Sequence, residues 1–196
     1  MIQSATDLKD FLNADSQRYN IQSRYKSTPF YKIKKLLQYL IGIEGEQYQM
    51  LRYLNTLRHL EYYQNKSKKN FLSICLRQFY SIKHKRLSRK YRVYIGANVA
   101  DKGLYIPHFC GGIICNCISI GRNCTISTGV VIGNKGGQDY RPTIGNNVEL
   151  CVGCKIIGNI KIGNNVIVAP NSVCIKDIPD NAVVSGIPAQ IIKYRT

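Results

Sequence analysis

Residues 143–174 read TIGNNVELCVGCKIIGNIKIGNNVIVAPNSVC, and their period decides the fold. Every sixth residue is apolar: Ile144, Leu150, Ile156, Ile162, Val168 and Cys174. Working upstream across one six-residue insertion, the same register continues through Ile132, Ile126, Ile120 and Ile114. Small or β-branched residues recur four positions after most of these, as at Cys124, Val130, Val148, Cys154, Ile160 and Val166. Gly and Asn fall between them, in Ile120-Gly121-Arg122-Asn123, Ile144-Gly145-Asn146-Asn147 and Ile162-Gly163-Asn164-Asn165. A fixed internal period is the signature of a repeat architecture.

Each six-residue unit reads as a short strand and a corner. The first apolar residue points into a prism-shaped core, and Gly or Asn sits at the corner because both tolerate positive φ. Three units close one 18-residue coil, and successive coils stack at the strand spacing of about 4.8 Å. Residues 95–178 make four to five such coils. The narrow core has room for Cys124, Cys154 and Cys174 as small hydrophobes.

Composition divides the chain near residue 92. Residues 1–92 hold 19 basic and 6 acidic side chains, a net of +13, against 9 and 5, a net of +4, in residues 93–196. Of 16 glycines only Gly42 and Gly45 precede the break, whereas ten of the 14 tyrosines do. We therefore expect a helical N-terminal domain over 1–92 and a parallel β-helix over 93–196. In the first, Leu8, Phe11 and Leu12 recur at helical spacing behind Ser4 or Thr6 as cap. A second helix follows Pro29 with Ile33, Leu36, Leu37, Tyr39, Leu40 and Ile41 on a broad apolar face. A third carries Tyr48, Leu51, Leu54, Leu57 and Leu60. A last one, about Phe71 to Leu87, turns Phe71, Leu72, Cys75, Phe79 and Ile82 inward. The longest uncharged apolar stretch, Leu36 to Ile43, is far short of the roughly 20 residues that span a bilayer. The first 30 residues are polar and carry Asp7, Asp10 and Asp15, so no secretory signal is expected. A cytoplasmic location follows, with the eight cysteines reduced.

These repeats resemble the left-handed parallel β-helix of hexapeptide acyltransferases, and within them the serine O-acetyltransferases and the similar enzymes of surface-polysaccharide synthesis. The residues that carry the resemblance are Gly103-Leu104-Tyr105-Ile106-Pro107-His108, Gly129-Val130-Val131-Ile132-Gly133, the loop from Asn134 to Pro142, the stretch Cys154 to Ile160, and Gly186-Ile187-Pro188-Ala189. They span about residues 93–192. The resemblance implies an acetyl-CoA-dependent O-acetyltransferase that transfers acetyl directly to a hydroxyl. It implies His108 as general base, since an unactivated alcohol is a poor nucleophile and neutral imidazole suits the task. His108 falls six residues before Ile114, where the repeat alone would put an inward side chain. Coil backbone N–H groups would hold the oxyanion. Gly153, Cys154 and Ala169 would leave room for the pantetheine arm, and Lys155, Lys161, Lys193 and Arg195 are cations for the phosphates of acetyl-CoA. Grooves between neighbouring β-helices imply a homotrimer, or a dimer of trimers.

The chain departs from serine acetyltransferases at three places. Pro107 stands where their catalytic His follows an Asp. Their Asp-Arg-His-Pro stretch is Asp139-Tyr140-Arg141-Pro142 here, so Arg141 replaces a second active-site His. Their acid about 15 residues before the catalytic His meets Val93 and Tyr94. The departures weaken L-serine as acceptor and favour a sugar hydroxyl, with Asp139, Tyr140 and Arg141 as acceptor-binding residues. No metal is expected: Cys151-Val152-Gly153-Cys154 has no second ligand pair at zinc spacing, and the β-helix holds one His. The run Lys83 to Arg92 has six Lys or Arg in ten residues. It reads as a solvated helix end, or as a site for nucleic acid, anionic membrane or phosphorylated glycan. The competing function is a non-catalytic β-helix scaffold whose basic N-terminal unit binds polyanions; nucleic-acid binding is not expected of the enzyme.

Overall fold

The structure is a computed structural model that describes residues 1–19, 45–67, 70–134, 136 and 140–195. The helix expected over Ile33–Ile41 lies outside the described residues. Three helices are described: α1 (Ala5–Arg18), α2 (Glu46–Asn65) and α3 (Phe71–Tyr91). Ser4 caps α1 in a reciprocal box: its Oγ accepts from Asp7 N at 3.0 Å, and Asp7 Oδ2 accepts from Ser4 N at 2.9 Å. Asn70 caps α3 through Ser73 N, and Arg92 ends it in the left-handed region at φ 56°.

Among the described residues thirteen strands follow in three sheets around a triangular prism. One face stacks β1 (Val93–Ile95), β2 (Ile113–Cys115), β5 (Val131–Gly133), β8 (Lys155–Ile157) and β11 (Val173–Cys174). The next stacks β3 (Ser119–Ile120), β6 (Thr143–Ile144) and β9 (Lys161–Ile162). The third stacks β4 (Thr125–Ile126), β7 (Glu149–Leu150), β10 (Ile167–Val168), β12 (Ala182–Gly186) and the antiparallel edge strand β13 (Ala189–Tyr194). Every other pairing is parallel, and Thr143 lies over Lys161, Glu149 over Ile167 and Lys155 over Val173, the 18-residue coil. At the corner between the second and third faces, Asn147, Asn165 and Asn181 all have positive φ and bond in file, at 3.0 and 2.9 Å. Gly145 belongs to the same corner because a Cβ there would meet Gly163 O at 2.6 Å.

The register differs from the sequence expectation at the first coils. Ile114 faces outward, 47% exposed, and Cys115 takes the inward place above Ile132 and Ile156. The step from Cys115 to Ile120 is five residues rather than six, which shifts everything upstream by one. A second departure compensates: Ile106 and Cys115 are both inward but nine residues apart, so three extra residues loop out at the corner between the third and first faces. His108 rides on that loop and is exposed, not in an inward slot.

The helices close the open end of the first coil. Its strands have no coil beyond them, and side chains replace the missing backbone partners. Tyr53 Oη donates to Val93 O at 3.1 Å and accepts from Ile95 N at 3.2 Å. Tyr19 Oη does the same at Ile106, with 3.3 and 3.0 Å. Arg58, wholly buried, donates to Ala100 O and Asp101 O and pairs with Asp15 and Glu61. Asp15 accepts from Gly103 N and Leu104 N, and Glu61 from Asn98 N. Tyr19, Met50, Tyr53, Leu54, Leu57 and Tyr91 share one core with the inward β-helix residues, so the compositional break near residue 92 is not a break in packing.

On α3 the inward face is the opposite of the one expected. Phe71, Leu72, Phe79 and Ile82 are 84%, 64%, 55% and 56% exposed and Cys75 is exposed, while Ser73, His84, Ser88 and Tyr91 are buried. Aromatic stacking forms the α2–α3 seam: Tyr80 stacks on His59 and Tyr63 at 4.9 and 5.6 Å. A tyrosine seam satisfies packing with half-polar side chains, which an apolar-periodicity reading passes over.

Candidate active site

His108 stands on the looped-out corner with its side chain 68% exposed. Glu46, the first residue of α2, reaches it across 62 residues of sequence, with Oε2 2.8 Å from His108 Nδ1. Glu46 Oε1 accepts from Phe109 N at 3.0 Å, so one carboxylate grips both the ring and the backbone of the loop. The hydrogen bond from His108 is the largest effect on the Glu46 carboxyl; burial opposes it, the Phe109 N–H adds to it, and the carboxyl is held below its usual range. An ionised carboxylate only accepts, so Nδ1 carries the hydrogen and Nε2 keeps its lone pair. Phe109 also packs on Tyr91 at 4.9 Å, anchoring the loop to the end of α3. The sequence carried no signal for Glu46 beyond an acid in the first turn of a helix.

Beneath this loop the same corner repeats down the β-helix. Gly129 N donates to Gly112 O at 2.7 Å, Gly153 N to Thr128 O at 2.9 Å, and Asn171 N to Val152 O at 2.9 Å. Gly153 has φ 72°, and a Cβ there would lie 2.2 Å from Asn171 Oδ1, so only glycine fits. Lys155 lies along the edge with Nζ 3.0 Å from Gly153 O. The column continues at Asn171, and Ala169, two residues before it, lies under Cys151 with its N–H bonded to Val184 O. Thr128 Oγ1 is buried at this edge without a partner among the described residues. Gly153 and Lys155 thus lie on the same corner of the β-helix as the loop of His108, with Ala169 two residues from the continuation of that column.

Other expected residues fall elsewhere. Cys154 is on the edge by backbone alone: its side chain is buried in the core, and burial pushes the thiol up to about 12. Lys193 lies on β13 opposite Val183, and Arg195 N bonds Asn181 O, which puts both toward the asparagine corner. Lys161 is on β9, on the second face. Tyr140 is exposed and Arg141 half-buried just before β6, at the corner between the first and second faces. There Arg141 opposes the burial that pushes the Cys117 thiol up to about 12. Asp139 lies outside the described residues. Within one chain, His108 and Arg141 therefore flank the first face from opposite corners. Among the described residues no group of three His, Cys, Asp or Glu could hold a metal ion, and no helix is long and apolar enough to cross a membrane.

With this geometry in view, comparison with known proteins gives a consistent answer. Residues 141–176 match the family model described as bacterial transferase hexapeptide (six repeats). A serine acetyltransferase of Synechococcus elongatus is 37% identical over 113 residues, 57% of this chain and 46% of the relative. One from Staphylococcus aureus strain Mu50 is 40% identical over 103 residues, 52% of this chain and 48% of the relative. The chain thus spans about half the length of the curated relatives it matches. In fold, it superposes on serine acetyltransferase from Brucella abortus strain S19 with a TM-score of 0.70 at 21% identity, over 98% of this chain and 71% of that one; that protein has also been solved in complex with coenzyme A. The resemblance to hexapeptide-repeat proteins of the serine O-acetyltransferase type holds in sequence over the β-helix and in fold over nearly the whole chain. The architecture is a helical N-terminal unit followed by a left-handed parallel β-helix.

Proposed function

We propose that the chain is an acetyl-CoA-dependent O-acetyltransferase acting by direct transfer, with His108 as general base and Glu46 as the residue that positions it. The observation that carries the reading is the His108–Glu46 pair, exposed at the head of a glycine-lined edge. Nε2 takes the proton of the acceptor hydroxyl as its oxygen attacks the thioester carbonyl. The tetrahedral intermediate expels the coenzyme A thiolate, which receives that proton from the imidazolium, leaving an O-acetyl ester and free thiol. Such a base contributes about 10²–10⁴-fold.

Acetyl-CoA is the cosubstrate, in keeping with the coenzyme A complex of the Brucella abortus protein. Its arm runs down the edge past Gly129, Gly153 and Ala169, where small side chains leave the backbone open, and Lys155 stands beside that path. A homotrimer accounts for the separation of His108 from Tyr140 and Arg141: packed side by side, one subunit's histidine corner meets its neighbour's loop. The acceptor is L-serine or a sugar hydroxyl. Arg141 in place of a histidine, and Pro107 in place of an aspartate, favour a sugar of surface-polysaccharide synthesis. The reaction belongs in the cytoplasm, where acetyl-CoA is made and used.

Calorimetry with acetyl-CoA, followed by thiol release with L-serine and a panel of sugars, tests the reading. Binding with acceptor-dependent release supports it and names the acceptor class. Absence of acetyl-CoA binding would leave a β-helix scaffold.

A further inference from the structure

A groove of about 570 Å³ runs between α3 and the outer surface of the first two coils. Tyr94 and Ile114, on β1 and β2, are roughly half exposed and form an apolar floor. The α3 wall supplies His84, Lys85 and Arg89. A second cavity of about 320 Å³ shares Arg89, Tyr94 and Ile114, adds Arg92, and ends at Gly111, Gly112 and Gly129. Together they make one trough. It starts under α3 and opens on the edge below His108, at Gly111, Gly112 and Gly129, where it meets the glycine column.

The lining defines a ligand chemistry. Lys85, Arg89 and Arg92 make no ion pair among the described residues, so the trough carries three uncompensated cations. Guanidinium groups hold phosphate oxygens through paired N–H donors. His84 is 91% buried against the ring of Tyr53, and its Nε2 has no partner among the described residues. An unsatisfied buried nitrogen is costly unless a ligand supplies its partner. An apolar floor with a few convergent polar groups is the ordinary make-up of a small-molecule site. The floor suits the face of a sugar or base ring.

We infer that this trough is the acceptor arm of the site and takes a phosphate-bearing carbohydrate. The ring lies over Tyr94 and Ile114, and the phosphate meets Arg89 and Arg92 with Lys85 beside them. The inference rests on the transferase reading and gives its acceptor a chemical class. It also gives a use to the basic run before residue 93.

The test is equilibrium binding of glucose, glucose 1-phosphate, UDP-glucose and a detergent-solubilised polyprenyl-phosphate-linked glucose to the full chain, with acetyl-CoA titrated in parallel. The expected result is binding of one or more phosphate-bearing probes and not of glucose, weakened by added salt. Which probe binds separates a sugar phosphate, a nucleotide sugar and a lipid carrier. Losing one charge-assisted bond lowers affinity about ten-fold or more, so Arg89→Gln with Lys85→Gln weakens binding by at least that factor, and Arg89→Lys restores part of it. Both positions are exposed on α3, and thermal melting checks that the variants fold. Equal binding by the Gln variant, glucose binding as tightly as its phosphate, or no phosphate-bearing probe bound at millimolar concentration overturns the inference. Acetyl-CoA binding without preference for phosphate overturns it alone. Phosphate-dependent binding without acetyl-CoA binding overturns the transferase reading and leaves the trough a phosphate site.

Discussion

On the proposed reading Glu46 does for His108 what a buried carboxylate does in a catalytic triad, but from a part-exposed position. Its side chain is 30% exposed, so water competes with the pair and screens it. Its value lies in fixing the tautomer and holding the loop through Phe109 N. We expect Glu46→Gln to lower kcat by roughly 10- to 100-fold, short of the roughly 10⁴-fold seen for a buried triad carboxylate. KM for acetyl-CoA should stay within about two-fold, and Glu46→Asp should recover part of the rate. A pure folding role would instead move the melting temperature and leave kcat per folded molecule unchanged. The sign of the pH effect follows from the direction of the shift. The Glu46 carboxyl is held below its usual value of 4.5, so the pair's contribution is present above that value and lost as pH falls through the lower one. At this scale the motif singled out His108, and the structure moved it from the inward slot to an exposed loop. Glu46 was not, because the contact spans 62 residues and no local spacing encodes it.

Elements are joined here by polar groups inside the core. Burial disfavours the Arg58 charge, but Asp15 and Glu61 offset this and hold the guanidinium charged. Burial pushes Glu61 up, and Arg58 counters it. Removing one member strands charges that the other elements cannot satisfy. Arg58→Met should therefore destabilise the fold by about 3–5 kcal/mol, read by chemical denaturation. A loss under about 1 kcal/mol would mean that Tyr19 and Tyr53 close the first coil unaided. The hexapeptide period gave strands, corners and core cysteines from residue 115 onward, because inward positions there repeat at fixed steps. It misplaced Ile114 and the inward slot of His108, where the five- and nine-residue steps leave the period. It also reversed α3, because the tyrosine seam against α2 does not read as an apolar stripe.

The whole molecule is a prism closed at one end by helices, and His108, Glu46 and the glycine column gather on one of its three edges. The loop with His108 sits where the helical cap meets the first coil. Glu46 can reach it for that reason, and so can the trough under α3. The column of Gly129 and Gly153 runs on down the same edge and shares Gly129 with the trough, so on the proposed reading donor and acceptor meet at that glycine, below His108. The composition change near residue 92 marked the two parts but not their shared core, since composition says nothing about which tyrosines face inward. Thiol release from acetyl-CoA, in wild type and in His108→Ala with the acceptor identified above, tests the central claim most directly. The account predicts acceptor-dependent release that falls about 10²-fold or more in the variant, with acetyl-CoA affinity retained. Release at the wild-type rate from His108→Ala would contradict it.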